Sequence, residues 1–126
     1  MKRILPVAVL LVLVGCGESA TTYTCDINTQ ANDLALATEG GQSFPKGTKS
    51  AKITLENNVM VIPLLGMDGY RSNLLKEVDI DNESKSLQKG DLLYEDQGVI
   101  EAFLVNKKQA IVMHSGKWIQ EFYNCK

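Results

Sequence analysis

Residues 51–65 read Ala51-Lys52-Ile53-Thr54-Leu55-Glu56-Asn57-Asn58-Val59-Met60-Val61-Ile62-Pro63-Leu64-Leu65. Ala51, Ile53 and Leu55 alternate with Lys52, Thr54 and Glu56, the two-residue period of a strand with one buried face. Asn57-Asn58 tolerates the left-handed backbone that a two-residue hairpin turn demands. Pairing across that turn sets Met60 opposite Leu55, Ile62 opposite Ile53 and Leu64 opposite Ala51, so one face of the hairpin is wholly apolar. Pro63 has no N–H for a ladder and marks an edge or the end of regular pairing. Val59 and Val61 fall on the other face, beside Thr54 and Glu56, as a small apolar patch.

The same alternation recurs outward from this hairpin. Residues 23–27 read as a strand before it, and residues 73–81 as one after it, with Leu74, Val78 and Ile80 on one side. Residues 92–95, 99–105, 110–114 and 117–125 follow as strands, broken at Asp96-Gln97-Gly98, at residues 106–108 and at Ser115-Gly116. In the last hairpin Met113 is expected to face Trp118, and Val112 to face Ile119. Residues 32–38 allow one short helix capped by Asn32 or Asp33. Residues 42–50, 66–72 and 82–90 read as loops. About seven or eight short strands with little helix between them predict a mainly β domain, an antiparallel barrel or sandwich, over residues 23–126.

The N-terminus has a different character. Lys2 and Arg3 precede an apolar run over residues 4–14, which Leu13-Val14-Gly15-Cys16 closes. At 11 residues the run is too short to cross a bilayer, which takes about 20. A basic start, a short apolar run and a small residue at its end are the layout of a secretory signal peptide. The last four residues resemble the lipobox of bacterial lipoprotein precursors. A plain cleaved signal peptide shares the apolar run but has no use for the cysteine. The resemblance implies removal of residues 1–15, a diacylglyceryl group on the Cys16 thiol and a third acyl chain on the new amino group. At about 0.8 kcal/mol per buried CH₂, three chains make a lasting membrane anchor. In the sorting rule of enterobacterial lipoproteins an aspartate after the cysteine favours the inner membrane, so Gly17 implies the outer membrane, facing the periplasm. Residues 17–22 would then be a tether reaching about 14 Å.

That processing leaves 111 of the 126 residues, with 11 basic and 15 acidic side chains. A net charge of −4 argues against nucleic acid or anionic lipid headgroups as partners. With Cys16 acylated, Cys25 and Cys125 are the remaining thiols, in a compartment where disulfides persist, and they are expected to pair. A bridge from the first strand to the last suits an up-and-down barrel, whose closure brings those strands together. Each cysteine lies two residues after a tyrosine, Tyr23 and Tyr123, so each ring is expected on the face of its cysteine, over the bridge.

Catalytic and metal-binding patterns are scarce. His114 is the sole histidine and flanks a turn, the setting of a solvated polar residue. No G-x-S-x-G elbow, H-E-x-x-H or Gly-rich phosphate loop occurs. Asp79, Asp81 and Glu83 open like a calcium loop, but Ser84 stands at the glycine position and Gly90 at the final glutamate. No metal or cofactor is therefore expected. Trp118 reads as core or rim packing. Met67 and Tyr70, in a loop between Gly66 and Gly69 and its end, are the candidate contact surface, because loops carry recognition. The expectation is a non-catalytic envelope lipoprotein whose β-domain binds a protein partner. A barrel carrying a small apolar ligand is the alternative, ahead of an envelope hydrolase. The Tyr-x-Cys near the mature start and the cysteine at the end resemble the membrane-bound inhibitors of C-type lysozyme, which are small barrels on the same kind of anchor. The likeness covers those two ends, and that family's central Ser-Gly and Tyr-containing motif has no counterpart here.

Overall fold

The computed structural model describes residues 20–126; the expected signal peptide, Cys16 and the first part of the tether lie outside the described residues. Nine strands and one helix follow in the order β1 (Ala20–Ile27), α1 (Thr29–Ala37), β2 (Ser50–Glu56), β3 (Val59–Ile62), β4 (Tyr70–Arg71), β5 (Lys76–Glu77), β6 (Leu92–Asp96), β7 (Val99–Leu104), β8 (Gln109–His114) and β9 (Trp118–Tyr123), with a 3₁₀ turn at Glu83–Lys85. They form one antiparallel sheet of order β4-β3-β2-β1-β9-β8-β7-β6-β5, curled into a half-barrel. Neighbours in sequence are neighbours in the sheet except β4 and β5, and one sheet pair, β1 and β9, joins the two ends of the sequence. β1 pairs with β9 through Asp26↔Tyr123 and Ile27↔Phe122. β4 and β5, joined by four residues, form the two edges.

The β2–β3 hairpin follows from its residues. Asn57 and Asn58 sit at φ 52° and 64°, two left-handed residues in succession, and Leu55 pairs with Met60. Gln97 and Gly98 repeat the device between β6 and β7 at φ 48° and 83°. Ile53, Met60 and Ile62 have no exposed surface. Phe44, Phe103 and Phe122 complete the core on the concave face, with the Phe44 ring edge-on to Phe122. The concave face, where the ligand of a barrel carrier would sit, is thus packed with the chain's own side chains.

Four expectations differ in place. β3 stops before Pro63, so Leu64 does not reach Ala51 but turns outward at 62% exposure, and Leu65 takes the inner position. The helix begins at Thr29 because Asn28 caps it, its side chain accepting from the N–H groups of Gln30 and Ala31 at 3.0 and 3.2 Å. Residues 73–81 pair only over Lys76–Glu77, with Leu75 rather than Leu74 in the core, and Ile80 is 75% exposed. In the last hairpin His114 pairs with Trp118 and Met113 with Ile119. Three residues, not two, make that turn, with Gly116 at φ 77° and the Lys117 N–H donating to the His114 carbonyl at 2.9 Å. A slip of one residue exchanges the faces of a strand, which brings Trp118 inward.

The expected disulfide joins Cys25 to Cys125. Beside it Thr24 and Lys126 exchange backbone hydrogen bonds at 2.9 and 3.0 Å, extending the β1–β9 seam. Asn124, at φ 52°, breaks the alternation after β9, so Cys125 turns into the core while Tyr123 stays on the outer face with Glu121. Of the two tyrosines, Tyr23 shares the inner face of its cysteine and packs on Phe103. β1 begins at Ala20, so three residues of the expected tether belong to the sheet.

Candidate functional site

The two residues expected to share a contact surface part company. Met67 is fully exposed at the tip of the loop between β3 and β4. Tyr70 lies in β4, half-buried, its ring edge-on to Trp118 at 6.1 Å and its hydroxyl donating to Glu101.

Glu101 is the residue that sequence reasoning passed over. It stands in the middle of the apolar run of β7, and the strand phase of Val99 and Phe103 points it inward, where it is 1% exposed. A buried carboxylate costs several kcal/mol unless donors meet it. Here Asn73 supplies two, its backbone N–H at 2.8 Å and its side-chain amide at 3.0 Å, and Tyr70 supplies the third. A charge at the core phase of an otherwise apolar strand was the available signal. His114 joins the group from the end of β8, with Nε2 at 3.4 Å from the Tyr70 hydroxyl and its ring stacked on Trp118 at 4.4 Å. The histidine expected to be a solvated turn residue is therefore half-buried among aromatic rings. Burial foremost, then the hydrogen bond to Glu101 and its charge, push the Tyr70 phenol above its ordinary range. The proton stays on the tyrosine at neutral pH. Both Glu101 oxygens face donors, so the cluster holds β4 and its following loop against β7.

Among the described residues no three of His, Cys, Asp and Glu gather as a metal site. Comparison with family models, curated proteins and solved structures finds no match for this chain.

Met67 belongs to a different feature. Leu64 and Met67 from the β3–β4 loop and Leu36 from α1 stand around a depression of about 560 Å³ that Phe44, Pro45 and Pro63 help to line. Scattered exposed apolar residues are ordinary, but three grouped around one hollow are a marker of contact. The loop that carries two of them is held in shape. The Gly66 N–H donates to the Ser43 carbonyl at 2.9 Å, and Gly69, at φ 82°, comes so close to Pro63 that a Cβ would lie 2.9 Å from its carbonyl oxygen. The apolar rim is therefore presented on a fixed frame rather than on a loose loop.

Proposed function

We propose that this chain is a lipid-anchored protein of the bacterial envelope, in the outer membrane, whose β-domain docks a protein partner without catalysis. The observation that carries the docking is the rim of Leu36, Leu64 and Met67 on a loop pinned by Gly66 and Gly69. A preformed apolar surface binds without the cost of ordering a loop. The lipobox-like residues at 13–16 and the Cys25–Cys125 bridge support an oxidising, membrane-bound setting. Lysozyme inhibition is one version of this reading, supported by the placement of the Tyr-x-Cys near the mature start and the cysteine at the end alone.

The test is a pull-down with the mature lipidated protein from detergent-solubilised envelope, run beside the Leu64→Asp, Met67→Asp double variant. Both positions are exposed, so the variant keeps the fold. One envelope protein enriched by the native chain and lost with the double variant is the expected result. Equal capture by both would remove the rim from the function, and no capture would remove the docking reading.

A further inference from the structure

In a curled sheet whose concave face is the core, the convex face meets water and its residues are ordinarily polar. β1 and β2 follow this, with Thr22, Thr24, Lys52, Thr54 and Glu56 outward. β6, β7 and β8 do not. One row across them reads Leu93, Ala102, Ile111 and then Glu121 on β9; the rows on either side bring Ile100 and Leu104 outward from β7. Ala102, the smallest of these, lies beneath the larger four and is only 2% exposed.

Residues 82–91 supply the missing wall. Leu87 folds onto this face and Lys85 pairs with Glu95 across it. The segment is tied on its far side by Lys107 Nζ to the Ser86 carbonyl at 2.9 Å and by the Asn106 amide to Gln88 at 3.2 Å. The groove, open on one side, measures about 310 Å³, at the lower end of small-molecule pockets. Its charge is unbalanced. Lys85 answers Glu95, whereas Glu121 at the other side has no cation among the described lining residues. Hydrogen bonds from the Asn28 amide at 2.8 Å and the Tyr123 hydroxyl at 3.2 Å hold one Glu121 oxygen in place.

We propose that this convex-face groove binds a small amphipathic cation, a compact apolar body among the half-buried Leu93, Ile100, Leu104 and Ile111 with one ammonium group directed to Glu121. The site is separate from the Leu36, Leu64 and Met67 rim and stands whether or not that rim docks a protein. A free acid of the same shape places a like charge beside Glu121 and is disfavoured.

The experiment uses the mature lipidated chain in nanodiscs, methyl-labelled at Ala, Ile and Leu, titrated separately with 4-phenylbutylamine and 4-phenylbutyrate. The amine is expected to shift the methyl signals of Leu93, Ile100, Ala102 and Ile111, with a Kd about tenfold below that of the acid. Glu121→Gln should abolish that preference while leaving the free spectrum native-like, and Ala102→Leu should abolish binding of both by pushing bulk into the groove from beneath. Met67→Asp should leave the titration unchanged. Equal affinities for amine and acid, shifts confined to other methyl groups, or no shift at saturating amine would each overturn the proposal. If Ala102→Leu fails to fold, the Glu121→Gln comparison decides alone.

Discussion

The Tyr70 hydroxyl on β4 donates to the Glu101 carboxylate on β7. β4 is one edge of the sheet and β7 lies two strands in from the other, so this contact spans the gap that the backbone ladder leaves open. Side chains do at that seam what strand pairing does elsewhere. Glu101→Ala leaves Asn73 and Tyr70 without their acceptor and should cost about 3 kcal/mol; Tyr70→Phe, which removes one of three donors, should cost about 1–2 kcal/mol. Denaturant unfolding with the disulfide intact gives both values. A double-mutant cycle between Tyr70→Phe and Glu101→Gln should show a coupling of about 1 kcal/mol, and additivity would mean that the contact does not close the seam.

The same contact sets a dependence on alkaline pH. Burial and Glu101 hold the Tyr70 phenol above its ordinary value of about 10, which it regains on unfolding. Its contribution is fully present below pH of about 10 and is lost as the pH rises beyond it, because the unfolded chain then releases a proton that the folded chain keeps. Tyr123 is shifted in the same direction, by burial first and the Glu121 charge next. Unfolding midpoints from pH 8 to 11 should fall, less steeply in Tyr70→Phe and least in the Tyr70→Phe, Tyr123→Phe pair.

Reducing the Cys25–Cys125 bridge, which closes a separation of 100 residues, should destabilise the domain by about 4.7 kcal/mol on the loop-entropy scale. The Cys25→Ser, Cys125→Ser pair should match the reduced protein in midpoint. A difference between them would assign part of the effect to the serines' burial.

Two adjacent glycines should separate cleanly. A Cβ on Gly41 would lie 2.3 Å from the Ala35 carbonyl oxygen, against the backbone that ends α1. At Gly40, φ is 79° and nothing lies within 4 Å, so alanine meets only the left-handed strain of about 1–2 kcal/mol. Gly41→Ala should be the more damaging in a thermal melt, although its φ is the ordinary one.

The parts of this fold that were legible are those fixed by short-range chemistry. Alternation plus Asn57-Asn58 determines the β2–β3 hairpin, since both the period and the turn residues agree. The pairing of the cysteines followed from their count and from the compartment expected of the N-terminal segment. The register of the last hairpin was not legible, because Ser115-Gly116 permits a two-residue turn and nothing local says that Lys117 joins it. Over residues 73–81 the alternation of Leu74, Val78 and Ile80 looked like a strand, but at the sheet edge β6 alone pairs with it, over Lys76–Glu77, and Leu75 seals the core instead. The cluster of Tyr70, Glu101, His114 and Trp118 joins four strands, and only Glu101 carried a local sign of it. Of the rim, Met67 fell in a stretch that reads as a loop, whereas the alternation of the hairpin put Leu64 on its apolar face, and Leu36 carried no local sign.

The seam beside Cys25 also determines how the domain bears load. A pull on the chain at Ala20 peels β1 from β2 one pair at a time, from Ala20↔Glu56 inward. The peeling halts at Cys25, whose covalent bond to Cys125 passes the force to the end of β9. Ala20 to Thr24 are five residues, so about 17 Å of chain can pay out before the bridge comes taut. Beyond that length the remaining sheet is pulled as a unit, and the disulfide acts as a mechanical stop set just inside the first strand.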